Sequence, residues 1–248
     1  MSKLKSYFFV SCSFIVLISA AFFIKDFRID ASSDTLVAQN DEDFQYFNNY
    51  TKLFNSENFL VIAVENKNKI NNNFIKNFEL ISSKILKLEE VSQVFSFVNA
   101  PILFLNNTTL RNLNSENIEN IKNTNFKIDD VVNEFIKNPI YKDQIINNDA
   151  NVFSLIIYLK NNFELTKGKQ DFENLIISKK KYLEIKNSND DKRNILINNI
   201  RNIIKEADQE YTYYLGGVEM IANDVINFVK NDILIFSLLV IFIIIFVL

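Results

Sequence analysis

The sequence predicts an α+β domain set between two membrane-spanning helices. Two observations carry that prediction. Uncharged apolar runs of near-bilayer length stand at residues 7–24 and 233–248. Between them, apolar runs of strand length alternate with segments of helical periodicity, in the order β-α-β twice.

Residues 7–24 read YFFVSCSFIVLISAAFFI. As a helix they cover about 27 Å, close to a hydrocarbon core, and a helix satisfies its own backbone there. Lys3 and Lys5 precede the run, which favours a cytoplasmic N-terminus. A cleaved signal peptide is the other reading, with Ser19-Ala20-Ala21 as small residues for cleavage. The run continues past them as Phe22-Phe23-Ile24, which favours an uncleaved anchor. Residues 1–25 are therefore expected to form a transmembrane helix, and residues 26–232 an extracytoplasmic domain. Residues 233–248 then start a second transmembrane helix. That last run, ILIFSLLVIFIIIFVL, has no positive flank after it. It reads as a truncated span, and the chain as a fragment of a longer protein; a short tail anchor is the other reading.

Within the domain, Asp30, Ser32, Ser33 and Asp34 offer turn and capping chemistry. Asn40 followed by Asp41, Glu42 and Asp43 reads as a helix start. Phe44, Phe47, Phe54 and Phe59 are read as core aromatics, with an apolar substrate path as the other reading. Residues 59–64, FLVIAV, are a buried strand. Phe74, Phe78, Ile81, Ile85 and Leu88 share one helix face. Residues 91–98 are a strand ending near Pro101.

The Asn-rich stretch 106–130 has no strong period and reads as a polar insertion. Residues 131–137 form a short helix that Pro139 ends. Residues 152–158 are a second buried strand. A long helical region covers 170–206, with a polar break expected at 187–191 and Leu196, Ile200, Ile203 and Ala207 on one face. Residues 211–215 are the last strand. Gly216-Gly217 closes it, in a chain with only three glycines, so a backbone demand is expected there: positive φ or close packing. Residues 221–229 form a helix leading into the membrane. The order β-α-β, insertion, β-α-β is the split βαβ, ferredoxin-like arrangement, with helices on one face of an antiparallel sheet.

Composition bounds the function. The net charge is −3, which argues against a nucleic-acid partner. Lys179-Lys180-Lys181 reads as a solvated helix face. Cys12 is the single cysteine, so no intrachain disulfide forms. There is no histidine, which excludes a His-based metal site or triad within this chain. The acid pairs Asp129-Asp130 and Asp190-Asp191 stand in polar stretches without a nucleophile or base beside them. No enzyme activity, cofactor or metal site is expected.

Three segments resemble one family. Residues 30–37, DASSDTLV, follow the first apolar run. Asn138-Pro139 precedes Asp149 and a buried strand. Residues 216–221, GGVEMI, precede the second apolar run. Together they resemble the N-terminal part of RND-superfamily exporters of the MMPL type, hopanoid and lipid exporters among them. The chain departs from the family's pattern at Ala150, where the family has glycine after the acid matching Asp149. The resemblance implies a proton-driven exporter of lipidic or hydrophobic substrates in the inner membrane, with a porter domain outside it. It makes Asp30, Ser32, Ser33, Asp34, Pro139, Asp149, Gly216 and Gly217 motif residues of structural role. Implied partners are membrane lipids, the substrate, the rest of the transporter after Leu248 and further copies of the chain. The proton relay of such exporters lies on later membrane helices, and neither apolar run here carries a charge. Two membrane helices around an extracytoplasmic α+β domain are also the layout of a sensor receptor, the alternative reading.

Overall fold

The computed structural model describes residues 58–105 and 119–247, with scattered positions between 11 and 50. The expected first membrane helix, the Asp30–Asp34 stretch and the expected helix after Asn40 lie wholly or largely outside the described residues. In chain order the elements are β1 (Phe59–Glu65), α1 (Asn72–Leu86), β2 (Val91–Ser96), α2 (Ile128–Lys137) and β3 (Val152–Leu159). They continue as α3 (Phe163–Glu173), α4 (Lys179–Lys205), β4 (Thr212–Gly216) and α5 (Val218–Val247). The fold is α+β. Its four strands form one antiparallel sheet in the order β2-β3-β1-β4.

Strand periodicity decides which side chains meet. β1 and β3 pair with Leu60 opposite Ile157, Ile62 opposite Leu155 and Val64 opposite Phe153, and all six are buried. Their neighbours point to the other face, where Val61, Ala63 and Ile156 are half-buried and Phe59 is 51% exposed. Phe59, expected in the core, is therefore not there: its place in the register puts it on the face opposite the buried Leu60, Ile62 and Val64, and among the described residues it is left 51% exposed.

α1 begins where the Asn71 side chain accepts the Phe74 N–H at 2.9 Å. Its Phe74, Phe78, Ile81 and Ile85 are buried. Phe74 meets Phe78, Phe97, Phe153 and Tyr211 with ring centroids 5.2, 5.7, 5.0 and 4.9 Å apart. Burying each such ring stabilises the fold by roughly 2–3 kcal/mol, and edge-on contacts add about 0.5–1.5 kcal/mol.

Three sequence expectations are corrected. The break in the long helical region lies at residues 174–178, not at 187–191, and residues 187–191 are helical. That polar stretch contains no proline or glycine, and its Asn189 is buried against Asn162, which donates an amide hydrogen bond to it. The polar insertion is narrower than 106–130. Ile121 is buried, Ile102 N–H donates to Glu119 O at 2.9 Å, and α2 already starts at Ile128; residues 106–118 lie outside the described residues. The helix expected at 221–229 and the final apolar run are one helix, α5, because no breaker separates them.

Register also fixes the ends of the sheet. Val61 lies opposite Gly216, and Leu159 N–H donates to Asn58 O at 2.8 Å. The chain thus enters β1, leaves β3 and leaves β4 at one end, called here the entry end.

Candidate functional site

The entry end is where the domain is joined to its apolar helix. Gly217 has φ +131°, and a Cβ there would sit 3.0 Å from the Phe59 carbonyl oxygen and 3.0 Å from a Leu60 methyl. Only glycine takes that backbone without strain. Gly216 meets neither demand, since a Cβ there would find its nearest neighbour, Val61 O, at 4.0 Å.

α5 starts at once after this turn and is pinned to α4 by charge. Arg201 donates two hydrogen bonds to the Asp224 carboxylate, at 2.9 and 2.7 Å. Arg193 pairs with Glu219, and Asn227 donates to Asn194 Oδ1 at 3.3 Å. The planar guanidinium suits such paired acceptors. Burial holds the Arg193 guanidinium below its ordinary pKa, while Asp190 pulls it back up. Asn223, between these acids, is 6% exposed, and its Nδ2 has no hydrogen-bond partner among the described residues. Sequence reasoning missed the four charged residues. A signal exists: a Lys-rich chain places arginine at 193 and 201, and the acids stand on the polar part of an otherwise apolar helix.

Beyond these contacts α5 runs unbroken. Val218–Phe246 is long and apolar enough to cross a membrane, with a mean hydropathy of 2.4 in its most apolar stretch. Phe236, Phe242 and Phe246 are 63, 76 and 86% exposed. The residues that pair with α4 and the apolar stretch are parts of one helix.

The motif residues of the sequence reading are not gathered. Asp30, Ser32, Ser33 and Asp34 lie outside the described residues. Pro139 follows the buried Asn138, whose extended backbone (φ −80°, ψ 118°) ends α2. Asp149 is exposed in the turn before β3. Asn147 holds that turn, its Oδ1 accepting the N–H groups of Asn151 and Val152 at 3.0 Å each. Ala150 there has φ +52°, a backbone suited to the glycine of the resembled family. This turn sits at the far end of β1, where Asn66 N–H donates to Asn151 O at 2.8 Å. The length of β1, about 20 Å at 3.3 Å per residue, separates Asp149 from Gly217.

A second polar centre also escaped the sequence reading. The buried Glu134 carboxylate accepts the N–H groups of Leu103, Phe104 and Leu105 at 2.6, 3.0 and 2.9 Å. Three donors on one carboxylate satisfy a charge that burial otherwise penalises. Tyr141 lies alongside and donates to Pro101 O at 2.9 Å. Burial, with Glu134 adding to it, pushes the Tyr141 hydroxyl up to about 12. No helical periodicity marks a buried glutamate, so only the fold reveals it.

Among the described residues no group of three or more His, Cys, Asp or Glu side chains is placed to hold a metal. An open groove between α1 and α4, about 300 Å³, is lined by Lys76, Leu80, Lys84, Ile203 and Glu206 among others; it has an apolar floor and mixed charge at its rim. No family model, curated protein or solved structure matches the chain.

Proposed function

We propose that the chain is the N-terminal part of a proton-driven RND-superfamily exporter of the MMPL type. It carries lipidic or hydrophobic substrates out of the inner membrane. Residues 26–232 are its ferredoxin-like porter domain, on the periplasmic side. The domain does no catalysis and needs no cofactor. It works with membrane lipids, with the transporter sequence after Leu248 and with further copies of itself.

One observation carries the reading. The chain enters and leaves the sheet at the same end, and the helix that starts there, α5, runs from its charged root without a break into an uncharged apolar stretch from Ile233 on. In this reading both connections of the domain come from one membrane face. The strand order β2-β3-β1-β4 supports the ferredoxin-like assignment, because a split βαβ places its first and third strands side by side at the centre. Gly217 and the left-handed Ala150 stand at two of the three segments that resemble the family. The pinned α4–α5 junction suits a porter, since a moving membrane helix would open and close the domain through it.

A sensor receptor is the second reading, and the same junction favours it: one rigid helix joining a domain to a span also carries a signal. The coding sequence after Leu248 separates the two. An exporter is expected to continue into several apolar helices, one with a central Asp as proton site. A single span followed by a long amphipathic signalling helix would sink the exporter and leave the sensor.

A further inference from the structure

The α3–α4 hairpin ends in a turn that folding alone does not favour. α3 closes with Ile176 N–H donating to Asp171 O at 2.7 Å and Leu175 N–H to Phe172 O at 3.0 Å. That pattern puts the residue after the cap in the left-handed region, a place usually held by glycine. Here it is Leu175, at φ +59°, although Asn174 stands one position earlier. Leu175 is 89% exposed and Ile176 69%. A turn made for water carries Gly, Asn or Asp at such a site. Directly behind the tip stand the exposed Lys179, Lys180 and Lys181.

The hairpin is braced and projects from the domain. Phe172 stacks on Tyr182 with ring centroids 5.0 Å apart. A Cβ on Gly168 would lie 3.0 Å from an Ile185 methyl, so the two helices touch closely. α4 reaches the core through Leu196 and Ile200, whereas residues 179–188 contain no buried side chain. α3 begins just after Leu159, so the hairpin leaves the body at the entry end, where α5 also starts. Residues 179–192 reach about 20 Å at 1.5 Å per residue, and Val218 to Asp232 of α5 about 22 Å. The two segments are of similar length.

We infer that the tip, Leu175 and Ile176, dips into the surface of the same bilayer that receives α5, with Lys179, Lys180 and Lys181 on anionic headgroups. Apolar side chains below a ring of lysines suit that boundary. The methylene stems follow the acyl region, and the ammonium groups stay at the phosphates. Membrane contact gives the exposed leucine a partner that the described residues of the domain do not. The inference rests on α5 being inserted, not on transport.

The test uses the full chain in lipid nanodiscs, with Cys12→Ser as background. An environment-sensitive fluorophore is attached at Ile176→Cys, at Ile235→Cys in α5 and at Asp149→Cys at the far end of the sheet. In phosphatidylglycerol discs the probes at 176 and 235 are expected to shift to the blue and to be quenched by spin-labelled lipid. The probe at 149 is expected to stay aqueous. Lys179→Glu, Lys180→Glu and Lys181→Glu combined, or phosphatidylcholine discs, are expected to cut quenching at 176 at least threefold and leave 235 unchanged. Leu175→Gly is expected to weaken quenching at 176 while raising the thermal midpoint. An aqueous probe at 176 beside an embedded probe at 235 overturns the inference and spares the membrane reading. So does shielding of 176 from iodide without lipid quenching, which means a protein occupant. An aqueous probe at 235 overturns both.

Discussion

Gly217 is the residue on which the route from sheet to membrane helix turns. Its φ of +131° and the 3.0 Å approach of Phe59 O leave no room for a side chain. Gly217→Ala is expected to destabilise the fold by about 2–3 kcal/mol, backbone strain plus a forced shift of β1. Gly216→Ala, whose Cβ would meet only Val61 O at an ordinary 4.0 Å, is expected to cost well under about 1 kcal/mol. Urea unfolding of the two variants compares them directly; equal losses would mean that Gly217 has no special demand. Tyr141 gives a second residue-scale prediction. Its folded pKa of about 12 lies above the ordinary 10 of the unfolded chain, so the native state binds that proton more tightly. The stability it contributes is complete below pH 10 and is lost as pH rises from 10 towards 12. Tyr141→Phe is expected to be slightly less stable at pH 7, lacking the bond to Pro101. It is also expected to lose less than the parent between pH 10 and 12. Melting curves across that range check it, and parallel declines would refute it.

At the scale of elements, polar contacts do work that no apolar pattern announces. Glu134 ties α2 to residues 103–105 at one mouth of segment 106–118, and Ile102 and Glu119 join its two mouths. Glu134→Gln keeps the shape but loses the charge that three N–H groups share, a cost of roughly 1–3 kcal/mol. Hydrogen exchange of the Leu103, Phe104 and Leu105 amides is expected to speed up at least tenfold in that variant while β1 and β3 stay protected. Uniform acceleration would mean global unfolding rather than release of a latch. The elements themselves were largely legible beforehand. β1, α1, β2, β3 and β4 came within about two residues of their expected bounds, because strand and helix periods are written in the order of apolar residues. The α3–α4 break was misplaced because composition pointed to the polar stretch 187–191. The real break is marked by Leu175, a residue that no turn rule singles out, and by the Ser178 N-cap, whose Oγ accepts the Lys181 N–H at 3.3 Å.

For the whole molecule, one end of one sheet gathers nearly everything of functional interest: chain entry, the Gly217 turn, the pinned root of α5 and the base of the α3–α4 hairpin. Two adjacent glycines and an uncharged apolar run marked part of this in the sequence. The pairing of Arg193 and Arg201 with Glu219 and Asp224 was not legible, since the partners stand more than twenty positions apart and long-range pairing leaves no local trace. The sequence by itself determined the α+β class, the strand runs and the apolar helix, because burial and periodicity act between near neighbours. Tertiary structure alone decided that α5 is rooted by charge, that Glu134 is buried with its donors, and that an apolar tip points away from the core. Each of these depends on which distant segments the sheet register brings together, and register is a property of the folded chain.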